Sequence, residues 1–538
     1  MADRYWVGGT GTWNDTNTAN WSATNGGAGG ASVPISTDNI YFTSASSSGS
    51  YDVYLYPSAL NFTAGAILSF AAPASGALAF YLRDSGNTTS TVLYTSNTST
   101  TTVAATNVNI IGTVYMGGSW NANGATLSIF AVINLTVSLA GDIRTADITQ
   151  LNSSILNLNS YTFTAANYLQ SGTGSKTINF GTGKFVFTGV NNTLWNYPTT
   201  TLLTITGSKN IELTTNATTG TRYIVHGTTG GTEAKSINVA VKAGSDTIAG
   251  SGATAIQLGN LDFTGFSGTF ANSNYAIYGS LTLSPTMTLA NTTYGFKLWG
   301  TGTTYLTTNG KTVNTNIFIA GGTSSSVILA DDLTTTVLVT HTLGGLNTNG
   351  KTVSMTGGYT STGTATRALT LGTSTVTCNA FGIATSTNYT LSAANSILNL
   401  TGTTNTLGNT NLTFGTINIT GSTVGLSVAG GTAVTIATLA NTVSPSTITF
   451  SSSYTYNISN FNVSGTSGNL VAIKSTAAGT RSTLNKTSGT VDANYLDIKD
   501  SNATGGATWN AYNSVDSGNN LGWNFAILST SNMFQMFW

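Results

Sequence analysis

The hexapeptide Thr-Asn-Gly-Lys-Thr-Val occurs twice, at Thr308–Val313 and at Thr348–Val353, 40 residues apart. Around both copies run short segments in which every second residue is apolar. They include Leu281 and Leu283, Val327 and Leu329, Val337 and Val339, Val353 and Met355, Leu369 and Leu371, and Val376 and Cys378. Each segment stops at Gly, Asn, Asp or Thr. Alternation with period 2 between turn residues predicts short strands with one buried face. A repeat of 40 residues divides into two coils of roughly 20, a suitable size for one turn of a β-solenoid. The pentapeptide Ser154–Leu158 also recurs, as Ser396–Leu400. The expected fold is therefore all-β: a right-handed parallel β-helix (β-solenoid) with coils of about 20 residues, a Trp-rich N-terminal cap and a distinct C-terminal module.

Composition supports strand and argues against several functions. Only 6% of the 538 residues are charged, with 17 basic and 17 acidic side chains, against a typical ~25%. Stacked coils place equivalent residues above one another about 4.8 Å apart. Like charges in such a stack repel, whereas Thr and Asn hydrogen-bond their neighbours. The 22 Tyr, 21 Phe and 9 Trp residues, with the regular apolar pairs, set the chain apart from Ser/Thr/Gly-rich disorder. A neutral chain with scattered lysines lacks the basic footprint of nucleic-acid binding. No apolar run approaches the ~18 residues of a membrane span. The single cysteine, Cys378, excludes an intrachain disulfide framework and is expected as a buried core thiol. The N-terminus does not read as a signal peptide. No cofactor motif is present.

Residues 1–45 hold Trp6, Trp13 and Trp21 among glycines and asparagines. These rings suit a plug for the open end of a solenoid, or else a platform on which a ligand stacks. Residues 46–465 read as the β-solenoid shaft. Residues 466–525, where charge becomes denser, read as a C-terminal coil or capping module. Residues 526–538 form an aromatic tail in which Phe534, Phe537 and Trp538 are candidate oligomer contacts, since such a tail usually docks somewhere.

The opening, through Trp6, Gly8, Gly9, Gly11, Trp13, Asn20, Trp21, Val33, Pro34, Asp38, Ile40 and Phe42, resembles the start of large β-helical bacterial surface proteins and of many phage structural proteins. The segment from Phe461 to Phe525 resembles a terminal module of phage virion and tail-associated proteins and of some bacterial β-helical adhesins. The resemblance implies a non-enzymatic structural component of a bacteriophage virion, of tail-fibre or appendage type. It would be synthesised in the host cytoplasm and work in the virion. Implied partners are other virion proteins, further copies of the chain (a trimer being typical of fibres), and a host surface glycan or outer-membrane component. Rival readings are a bacterial surface adhesin and a polysaccharide-degrading tailspike.

A tailspike needs two carboxylates flanking a glycosidic bond, ~5 to 9 Å apart. The neighbours Asp331 and Asp332 point to opposite faces of a strand and suit turn or capping roles instead. Glu212 and Glu233 are spaced to stack on adjacent coils. Asp497, Asp500 and Asn502 form an oxygen-rich set loosely of calcium-loop type, without the terminal Glu. Asx turns and corner bonds are the simpler reading there. His226 and His341, the only histidines, form no ligand cluster by sequence, and His341 falls in phase with Val337 and Val339.

Overall fold

The computed structural model describes residues 2–526 apart from short interruptions, most of them between residues 56 and 153. Between residues 54 and 147 it describes strands but not side chains. The tail candidates Phe534, Phe537 and Trp538 lie outside the described residues. The fold is an all-β solenoid of stacked parallel strands. The chain forms two compact units, Met1–Ala276 with Thr286–Ala290, and Ile277–Pro285 with Asn291–Trp538. No change in composition marks the division.

In the first unit the strands Thr162–Ala165, Lys184–Phe187, Asn210–Leu213 and Ile237–Val241 stack in parallel. Their register sets Phe163, Phe185, Ile211 and Val239 in one inward column, all essentially inaccessible. A second wall stacks Thr221, Thr247, Thr269 and Thr288 outward. The inward column beside them is Arg222, Ile248, Phe270 and Leu289. An arginine thus occupies a core position.

In the second unit one inward column runs Leu333, Val353, Val376, Leu398, Ile417, Leu439 and Phe461. One coil advances 23 residues from Val353 to Val376, 22 to Leu398 and 19 to Ile417. Cys378 lies in the adjacent inward column, fully buried, and burial pushes its thiol up to about 11. Outward positions between these columns carry Thr334, Ser354, Thr377, Asn399 and Asn418. Their side chains bond along the stack: Asn399 Nδ2 donates to Thr377 Oγ1 at 3.2 Å and Asn418 Nδ2 to Asn399 Oδ1 at 3.2 Å.

The repeated hexapeptide is a coil corner. Asn309 and Gly310 have φ of 50° and 76°, and Asn349 and Gly350 have 52° and 71°. Two consecutive positive φ values are what Asn-Gly tolerates best. The Lys311 and Lys351 amides close the two turns onto Thr308 O and Thr348 O, at 3.0 and 2.9 Å. Between the two copies passes one coil whose corner is Asp331-Asp332. The Asp331 carboxylate accepts the Thr308 amide at 2.8 Å and the Asn309 amide at 2.5 Å. Asp332 accepts the Thr352 amide at 2.8 Å. A Cβ on Gly310 meets nothing within 4 Å. Gly310→Ala therefore isolates the backbone contribution, and we expect a loss of about 1–2 kcal/mol, read as a lowered urea midpoint at unchanged m-value. An unchanged midpoint would contradict the left-handed assignment.

Candidate functional site

The N-terminal aromatic cluster is built by a strand that runs against the grain of the coils. Asp3–Trp6 pairs in parallel with Asn39–Phe42 on one edge. On its other edge it pairs antiparallel with Trp21–Ser22, placing Trp6 opposite Trp21. Trp21 sits at the centre, edge-on to Trp6 at 5.2 Å and to Trp13 at 4.8 Å, with Phe42 at 5.9 Å. The three indoles are 0–1% exposed, so none offers a face to solvent.

The spacing of the motif follows from this packing. The Asn20 side chain lies against Gly8 and Gly11, where a Cβ would meet it at 2.4 and 2.8 Å. Its Nδ2 donates to Thr12 O at 3.0 Å. Asp38, also buried, accepts the amides of Ala2 at 3.0 Å and Ile35 at 3.2 Å. Glycines make the slot, Asn20 fills it, and Asp38 ties the incoming chain to the strand that carries Ile40 and Phe42.

A second aromatic cluster, which the sequence reading did not single out, lies in the last described coils of the other unit. Phe461, Trp509 and Trp523 pack edge to face with centroids 5.1–6.1 Å apart. Trp509 Nε1 donates to Thr504 O and Trp523 Nε1 to Ser501 Oγ. Trp509 and Trp523 are legible in the sequence, but their meeting with Phe461 depends on coil register.

The oxygen-rich set Asp497, Asp500 and Asn502 serves three separate neighbours. Asp497 accepts the Ser517 hydroxyl. Asp500, at a corner with φ of 55°, accepts Asn519 Nδ2 at 2.6 Å. That amide holds the Asp500 carboxyl below its usual range. Asn502 donates to Thr483 Oγ1 at 3.4 Å. Among the described residues no three His, Cys, Asp or Glu side chains come together as a metal site.

The carboxylates weighed for glycoside chemistry are engaged elsewhere. Asp331 and Asp332 hold corner amides. Glu212 meets Lys184 Nζ at 2.7 Å. Its neighbour in the next coil is Ala240, a step of 28 residues. Glu233 is not its stacking partner but starts the short 3-10 turn Glu233–Lys235.

Both histidines are buried and neutral by construction. His226 Nε2 donates to Lys235 O at 2.7 Å, and its Nδ1 accepts the Trp195 indole N–H at 3.1 Å. His341 Nε2 donates to Gly344 O at 2.9 Å, and its Nδ1 accepts the Tyr359 hydroxyl at 2.9 Å. Tyr389 continues that chain at 3.1 Å. Burial pushes both imidazoles down to about 4. Beside His341, the buried Arg367 guanidinium bonds Ser361 Oγ and the carbonyls of Ala365, Thr385 and Thr387, and stacks over the Tyr389 ring. His226, His341 and Arg367 are themselves inaccessible to solvent.

Among the described residues no helix is long and apolar enough to cross a membrane. No family model, no curated protein and no solved structure matches this chain. What the structure shows is the fold: a parallel β-solenoid with a buried Arg222–Asp246 pair and an N-terminal tryptophan cluster packed within its coils.

Proposed function

We propose that the chain is a non-enzymatic structural component of a bacteriophage virion, a fibre or a tail- or capsid-associated appendage that meets the host surface. The observation that carries this reading is the coil wall. From Thr334 through Asn418 the outward residues of this column are uncharged, and Thr377, Asn399 and Asn418 bond to one another along the stack. Such a wall is rigid and hydrated, and it avoids the repulsion that stacked like charges would bring at about 4.8 Å. The tryptophan clusters act as end plugs that keep core and strand edges from meeting other chains. The carboxylates of Asp331, Asp332, Glu212 and Asp500 are bound to amides, a hydroxyl and an ammonium group.

The partners in this reading are other virion proteins, further copies of the chain in a trimer, and a surface glycan or outer-membrane component of the host. Several copies presenting many weak polar contacts give avidity without a single tight site. The chain is made in the host cytoplasm and works in the particle. Mass spectrometry and gold-labelled antibody on purified particles of the phage encoding it should find it there. Its absence from the particles overturns the virion assignment. Release of new reducing ends from host capsular polysaccharide by the purified chain overturns the non-enzymatic one.

A further inference from the structure

The chain has two histidines, one in each unit. Each sits in a ladder, His226 opposite Tyr197 and His341 between Ile319 and Ser361. Both rings are held at both nitrogens. A carbonyl only accepts, so Nε2 carries the hydrogen in each ring and Nδ1 is left as the acceptor. The partners at Nδ1 differ in kind. A tyrosine hydroxyl both donates and accepts, so Tyr359 is able to turn its proton toward Tyr389 and receive a hydrogen bond instead. An indole N–H donates only. Trp195 has no such reversal, and its ring is stacked against Tyr168 at 4.4 Å.

We propose that the Trp195–His226 pair is an acid latch on the Met1–Ala276 unit. A proton on His226 Nδ1 sets two donors against each other, expels the ring from the core and opens the coil step between Thr193–Thr199 and Thr221–Thr229.

Among the described residues no carboxylate lowers the cost of charging the His226 ring. Tyr197 faces His226 across the ladder, and burial drives the phenols of Tyr168 and Tyr197 upward, so both are neutral in acid. Lys235 gives the ring its carbonyl, while its ammonium is bound to the carbonyls of Thr200 and Thr201. Lys209 opposes a second positive charge. On the same strand Arg222 is matched by Asp246. The strand Ile256–Asp262 carries Asp262, matched by Lys242. Glu233 starts the turn that presents the Lys235 carbonyl.

The sign follows from linkage. His226 binds its proton more weakly folded than unfolded, so its stabilisation is complete above about pH 6.5 and is lost as pH falls toward 4. One proton makes opening about tenfold easier per pH unit, or about 300-fold over that window.

The test uses the full chain with 15N-labelled tryptophan. The Trp195 indole signal is identified by its loss in Trp195→Phe, and hydrogen exchange is followed over Thr221–Thr229. In the wild type we expect that signal to move or vanish between pH 6.5 and 4. Exchange should rise about tenfold per pH unit beyond its intrinsic rate. In His226→Gln the amide still accepts from Trp195 and donates to Lys235 O, and exchange should follow the intrinsic rate alone. His341→Gln should leave the wild-type response of Trp195 in place. An undisturbed Trp195 indole at pH 4, or the same acid response in His226→Gln, overturns the latch. Should His226→Gln fail to fold at pH 7, the wild-type indole signal decides.

Discussion

Asp246→Ala is expected to cost the first unit about 3–5 kcal/mol, the largest loss from any single charged side chain in its core. Arg222 stands in an inward column with Ile248, Phe270 and Leu289, and its side chain and that of Asp246 are both 0% exposed. The carboxylate grips the guanidinium at two points, 2.7 Å at Nε and 2.6 Å at Nη2. Nη2 also donates to Ala243 O at 2.9 Å, and the Phe266 ring lies 6.0 Å from the cation. Gly244, with φ of +113°, leaves the room: a Cβ there would come within 2.3 Å of Nη2. Removing the carboxylate strands a buried cation. Removing both charges does not, so Arg222→Met with Asp246→Leu should recover most of the loss. The partly exposed pair Lys242–Asp262 meets through a single contact of 2.7 Å, and there solvent screening leaves less than about 1 kcal/mol. Urea unfolding, with hydrogen exchange of Thr221–Thr229 as the local readout, separates these cases. A loss below about 1 kcal/mol for Asp246→Ala would mean that the pair is solvated in solution.

The same two sites show what the sequence conceals. Alternation was readable because a strand carries its own period: Leu398 and Leu400 of the recurring pentapeptide face inward, and so do Phe185 and Phe187. The corners were readable because Asn-Gly states its backbone requirement locally. The stacking register is not local. Coil steps vary: 14 residues from Trp509 to Trp523, 19 from Leu398 to Ile417, 28 from Glu212 to Ala240 and 29 from Tyr197 to His226. A count of 21 therefore paired Glu212 with Glu233, when its neighbour is Ala240. Arg222 looks like a solvated arginine until Asp246, 24 residues later, is seen at the same corner. Trp195 and His226 meet across 31 residues. Likewise the sequence gathers Asp497, Asp500 and Asn502, whereas the fold gives each a different partner. Side chains whose role depends on the next coil stay ambiguous until coil length is known.

Trp21→Ala should cost about 3–5 kcal/mol, and its effect should reach beyond stability. Trp21 is the one indole in contact with Trp6, Trp13 and Phe42 together, and its backbone closes the free edge of Asp3–Trp6. Truncation leaves a cavity bordered by three rings beside the strand edge that Trp21 closes. Its indole nitrogen meets no acceptor among the described residues, so the cost is one of packing. Trp21→Phe keeps much of the ring volume and should lose only a fraction of that amount. If the cluster is an end plug, Trp21→Ala should also expose core and strand edge, and the chain should associate in a concentration-dependent way that Trp21→Phe does not show. Urea midpoints and light scattering of the two variants measure both effects. Equal destabilisation with no association would keep the packing argument and remove the plug. A loss below about 1 kcal/mol would remove both, since no fully buried tryptophan at the centre of a cluster is truncated so cheaply.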